Sequence, residues 1–184
     1  MGWEIAVLAA LVVGGVVMYN SLVKEREKAE GAWADIDVQL KRRYDLVPNL
    51  VETVKGYASH EKETLEAVIT ARNRAMAVHT PGEAGRAEGA LTGALKSLFA
   101  LAENYPELKA APGFQDLQGR LSELEEAIQN SRRYYNAVVR DYNTKVQQVP
   151  TNVVARSFGF RQREFFQAEE GETGVPRVDF GGAS

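Results

Sequence analysis

The chain contains no cysteine, which removes disulfides, thiolate metal sites and thiol nucleophiles from consideration. Two histidines are too few for most imidazole-rich centres. Basic charge is not in excess either: the formal net charge is -3 and the isoelectric point lies near 5.6. A nucleic-acid surface would show clustered Lys and Arg, so no nucleic-acid partner is expected. Catalytic patterns are also missing. No Gly-rich phosphate loop, G-x-S-x-G elbow or H-E-x-x-H occurs. The paired Glu-x-x-His motifs of a di-iron bundle are absent as well. His60 with Glu61 and Glu63 forms a lone cluster that reads as a solvated turn. Asp35 and Asp37 lie two apart and so face different sides of a helix. No enzyme activity, cofactor, metal ion or small-molecule substrate is expected.

Proline and glycine are confined to a few places, and the stretches between them are rich in Ala, Leu, Glu, Lys, Arg and Gln, which favour helices. The composition is all-α. A chain of 184 residues is read as one domain with an appendage.

Long apolar runs are scarce too, with one exception at the N-terminus. From Ile5 to Met18 no residue is charged, Leu22 and Val23 extend the run, and Trp3 and Tyr19 flank it like an aromatic belt. A span needs about 20 residues, a length reached by counting from Trp3 to Val23. A cleaved signal peptide would want a basic n-region and a small-residue cleavage site, whereas this N-terminus has Glu4 and no Lys or Arg before the run. A buried core helix would be more amphipathic. Residues 1–23 are therefore read as a transmembrane anchor in the bilayer. Lys24, Arg26 and Lys28 follow it, so the positive-inside rule puts the N-terminus outside and the remainder in the cytoplasm, at the cell membrane. Ala6, Ala10 and Gly14 recur every four residues, a small-residue ridge that would let two such helices approach closely. The plainer reading is that Ala and Gly are common in membrane helices.

Residues 24–150 read as an antiparallel up-down four-helix bundle. Apolar positions at helical spacing include Trp33, Ile36, Leu40 and Tyr44, then Val47, Leu50, Val54, Leu65 and Val68. Past "HTPGEAG" at 79–85 they continue with Leu91, Leu95 and Leu98. Past "NYPELKAAPGF" come Phe114, Leu121, Ile128, Tyr135, Val138, Tyr142 and Val146, with the alternating spacing of a bundle or coiled-coil seam. Pro48 poses the main question. Inside a helix, proline removes one hydrogen bond and clashes with the preceding turn, at about 3 kcal/mol; in a first turn it costs little. Asp45, three residues earlier, is a good N-cap. The economical reading ends one helix near Tyr44, caps the next with Asp45 and reverses the chain there. The alternative is one kinked helix from the membrane to about residue 78, more than about 100 Å long. In the reversing arrangement, the 79–85 loop and everything after Pro150 lie near the bilayer.

Asn136 and Asn143 lie one heptad apart in "YYNAVVRDYN". Asn at a seam position fixes register and partner number; the other reading is a binding surface of Tyr135, Asn136, Tyr142 and Asn143. Gln39 and Arg43 share a face suited to polar contacts between helices or subunits. In residues 151–168, Phe158, Phe160, Phe165 and Phe166 alternate with Arg156, Arg161 and Arg163. They are read as docking on the bundle or on a neighbouring subunit, with the lipid interface as the other reading. Residues 169–184 turn acidic and Gly-rich and read as an extended or disordered tail.

Several of these stretches together are similar to the LemA family of bacterial membrane proteins. They are "YNSLV", "AWADIDVQLKRRYDLVPNLVETVKGYASHEKETLEAVITAR", "AENYPELKA", "FQDLQGRL", "YYNAVVRDYN" and "FGF", in order from Tyr19 to Phe180. The resemblance implies a single-pass membrane protein with an antiparallel helical bundle. It supplies no catalytic residues. Relatives in magnetosome membranes, where the family is associated with membrane shaping, imply a structural or membrane-organising role. Two functions are expected from these readings: a self-associating scaffold in the membrane, a homo-oligomer, or a binding module that recruits another protein.

Overall fold

A computed structural model describes residues 2–166. The described residues are helical and contain no strand. The helices are α1 (Gly2–Lys55), α2 (Lys62–Met76), α3 (Pro81–Ala102), α4 (Pro106–Ala110), α5 (Pro112–Gln147) and α6 (Thr151–Ser157). The expected tail at 169–184, and the last two residues of the segment before it, lie outside the described residues.

Pro48 does not reverse the chain. It sits inside α1, a single helix of 54 residues and about 80 Å, and Asp45 is an exposed residue within that helix rather than an N-cap. The physical reason lies elsewhere in the sequence. Proline cannot donate to the carbonyl four residues back, which here is that of Tyr44. The Nε of Arg72, on α2, donates to this carbonyl at 2.7 Å. The freed acceptor is satisfied by a guanidinium, and the helix continues. The chain turns only after Lys55, at Gly56–Glu61.

The succession of four commensurate helices is accordingly replaced by two long helices and a short hairpin. α1 and α5 run antiparallel, as the pairs Glu25–Lys145, Trp33–Tyr135 and Arg43–Glu125 establish. The α2–α3 hairpin packs only beside the upper part of this pair, where Tyr44, Val47, Leu50 and Val54 meet Leu65, Val68, Leu91, Leu95 and Leu98 in one core. The second helix of the hairpin, α3, starts where local chemistry places it. Pro81 occupies the first turn of α3, and the Thr80 hydroxyl caps it by accepting from the Glu83 amide, so the helix begins within "HTPGEAG" rather than after it. This turn is not at the membrane end. It adjoins Glu164 and Phe165, next to Phe166, which packs on Trp33, about 15 Å along α1 beyond Val23.

After α6 the chain turns back. Gly159 has a φ of 73°, and the Phe160 amide donates to the Ala155 carbonyl at 2.9 Å. This is a Schellman ending in which glycine takes the left-handed position without penalty. Residues 160–166 then run up along α1 and α5 as a non-helical strap.

Candidate functional site

Three places carry unusual chemistry. The first is a buried polar node at the level of the hairpin. Arg43 of α1 is almost fully buried. Its guanidinium donates to the Glu88 carboxylate at 2.8 Å and to the Thr92 hydroxyl at 2.8 Å, and lies 3.1 Å from Glu125. The Tyr44 hydroxyl donates to the other oxygen of Glu88. Burial pushes the Glu88 carboxyl above its ordinary range, and Arg43 and Tyr44 oppose that shift. Burial also raises the Tyr44 hydroxyl, reinforced by the neighbouring Glu88 charge. The node thus ties α1, α3 and α5 together, and removing one partner of such a pair costs about 3–5 kcal/mol.

Beside the node, α3 and α5 leave a cleft of about 580 Å³. Glu88, Thr92 and Lys96 line it from one side, with Gln118, Ser122 and Glu125 on the other. Its surface is mixed in polarity. Among the described residues, no group of three or more His, Asp or Glu is placed to hold a metal ion.

The second place is the strap. Asn143 makes a two-pronged contact with the backbone of Arg163: its amide donates to the carbonyl at 2.9 Å, and its oxygen accepts from the N–H at 2.8 Å. Asn136 does the same with Phe166, at 3.1 and 2.9 Å. The spacing explains the match. Seven residues of helix rise about 10 Å, and three residues of extended chain cover about the same distance. Each asparagine replaces the ladder partner that an extended strand lacks. The Tyr135 hydroxyl adds a bond to the Glu164 carbonyl at 2.9 Å. Phe166 is buried beneath Trp33 and Arg132, and Arg163 pairs with Glu30. Tyr135, Asn136 and Asn143 therefore engage the chain's own C-terminal segment here, and Tyr142 is buried among Leu22, Ala155 and Phe160.

The third place is the base, where α6 packs on the end of the apolar run. α1 carries the one stretch among the described residues that is long and apolar enough to cross a membrane. Trp3, Ala6 and Ala10 are exposed and Gly14 is half-buried. A Cβ added at Gly14 would meet nothing. Tyr19 stacks edge-on against Phe158 at 4.9 Å and Phe160 at 5.6 Å. Of the four phenylalanines, Phe160 and Phe166 are buried, while Phe158 and Phe165 remain exposed. Lys145 donates to Glu25 at 2.7 Å, and this bond holds the Glu25 carboxyl below its ordinary range.

Sequence reasoning singled out Arg43 but missed Glu88, Tyr44 as its donor, and Arg72. Glu88 was legible: it sits between Ala84 and Leu91 on the apolar stripe of α3, where an unpaired acid would be costly. Arg72 carried no such signal.

A family model described as the LemA family matches residues 32–180. Protein LemA of Metamycoplasma hominis is 27% identical over 164 residues, spanning 87% of this chain and 72% of its own. Magnetosome protein MamQ of Magnetospirillum gryphiswaldense is 26% identical over 185 residues, with 86% of this chain and 68% of its own covered. Magnetosome protein MamQ 2 of Paramagnetospirillum magneticum is 24% identical over 186 residues, with 87% and 68% covered.

Proposed function

The chain belongs to the LemA family, and from that premise we propose that this membrane-associated helical protein is a non-enzymatic scaffold. Its span gathers copies of the chain, and its helical arm stands rigidly on the cytoplasmic side. One observation carries the reading. α1 is unbroken from the apolar run to the core, so the arm has no loop on which to swing and its direction is set by the span. The ridge of Ala6, Ala10 and Gly14 supports self-association, because small residues let helix backbones approach. Lys24, Arg26 and Lys28 support the orientation, and the relatives named as magnetosome proteins support a role in organising a membrane.

The test is the particle mass of the full-length protein in nanodiscs. More than one copy per particle is expected, and Gly14→Ile should lower the number. A uniform monomer, unchanged by that substitution, would remove the scaffold reading.

The cleft between α3 and α5 favours a second reading, a module that recruits another protein. On that reading the protein is monomeric, and a bulky Ser122→Trp in the cleft releases a defined partner while leaving the helix content intact.

A further inference from the structure

The base of the arm holds apolar surface that no part of the described chain covers. Val149 is 75% exposed, Val153 64% and Phe158 65%. They flank or lie on α6 together with exposed Arg156 and Arg161. Three exposed apolar side chains on and beside one short helix offer an interaction surface. Its height identifies the occupant. A span of about 20 residues begun at Trp3 ends near Leu22, and Leu22 is the residue on which α6 packs, in a cluster with Tyr142, Ala155 and Phe160. Phe158 itself stacks on Tyr19, the aromatic that closes the apolar run. α6 is thus held at the depth where hydrocarbon gives way to headgroups. At that depth, exposed valine and phenylalanine find acyl chains, and arginine finds phosphate.

We infer that α6, with Val149 and Phe158, is a foot that dips into an anionic lipid surface and fixes the arm against the bilayer as a second contact beside the span. This rests on the span being inserted. The structure separates the foot from the rest of the aromatic segment: Phe160 and Phe166 face protein, and Phe165 lies level with the α2–α3 turn, above the interface.

Because the chain has no cysteine, single sites can be labelled in the full-length protein. Val153→Cys, Val12→Cys in the span and Tyr134→Cys on α5 would each carry a fluorophore in vesicles of phosphatidylcholine and phosphatidylglycerol. Tyr134 is exposed and about 20 Å up α5 from its end at Gln147. Nitroxide-bearing lipids should quench the labels at 12 and 153 severalfold more than the label at 134. Quenching at 12 but not at 153 would overturn the foot and leave the span intact. A label at 12 that only aqueous quenchers reach would overturn the span and the foot together. Quenching at 153 should also fall in phosphatidylcholine alone; an equal value there would overturn the part given to Arg156 and Arg161.

Discussion

If Arg72 is what lets α1 pass through Pro48, the two residues are energetically coupled although 24 positions apart in sequence. Arg72→Met would leave the Tyr44 carbonyl without its donor in a partly buried setting. A hydrogen bond from a charged donor is worth about 1.5–3 kcal/mol, so a loss of that size is expected. Pro48→Ala restores an amide at position 48 and relieves the clash, which in an ordinary helix is worth about 3 kcal/mol. Here the gain should be smaller, because Arg72 already supplies the missing donor. In the Pro48→Ala background the carbonyl has its helical partner, and Arg72→Met should cost only about 0.5–1 kcal/mol. The double-mutant cycle therefore predicts a coupling of about 1–2 kcal/mol. The assay is denaturant unfolding of the four full-length proteins in one detergent, followed by far-ultraviolet circular dichroism. A cost for Arg72→Met that is equal in both backgrounds, to within about 0.5 kcal/mol, would refute the account.

The strap gives a kinetic prediction. Asn143→Asp keeps an acceptor for the Arg163 amide but loses the donor to its carbonyl, a change of about 1.4 kcal/mol or more. Trypsin cleavage at Arg161 and Arg163 should rise about tenfold if it follows local opening, and an unchanged rate would count against the asparagine clamp. Tyr135→Phe removes one bond from the same strap and should cost about 1 kcal/mol in unfolding measurements. Glu88 sets a pH dependence. Burial raises its folded-state carboxyl above the ordinary value of 4.5, so the folded protein takes up this proton more readily than the unfolded chain. Its stabilising contribution is then complete below that ordinary value and is lost as pH rises through the raised one. The stability of the parent relative to Glu88→Gln should fall as the pH rises above that ordinary value; a flat or rising difference would contradict the shift.

Much of the architecture was legible because it is local. The apolar run and the periodicity of α5 depend on neighbours within a turn or two, and the sequence displays them directly. Family membership was legible for the same reason, through ordered stretches such as 33–72. The candidate sites were less so. Asn136 and Asn143 stood out by spacing, yet an asparagine on a helix can serve a seam or an extended peptide equally well. Only the returning strap selects between them in this chain. Gly159 marks where that return begins, but its left-handed φ becomes meaningful only once Phe160 is seen docking on Leu22 and Tyr142.

By itself, then, the sequence determined an all-helical chain with a single apolar segment of membrane-spanning length, since hydrophobic pattern and helix propensity act over a few residues. The tertiary structure decided where the chain reverses. A proline's effect depends on whether the carbonyl it strands finds another donor, and that donor is Arg72, brought to Tyr44 from 28 residues away by the packing of α2 on α1.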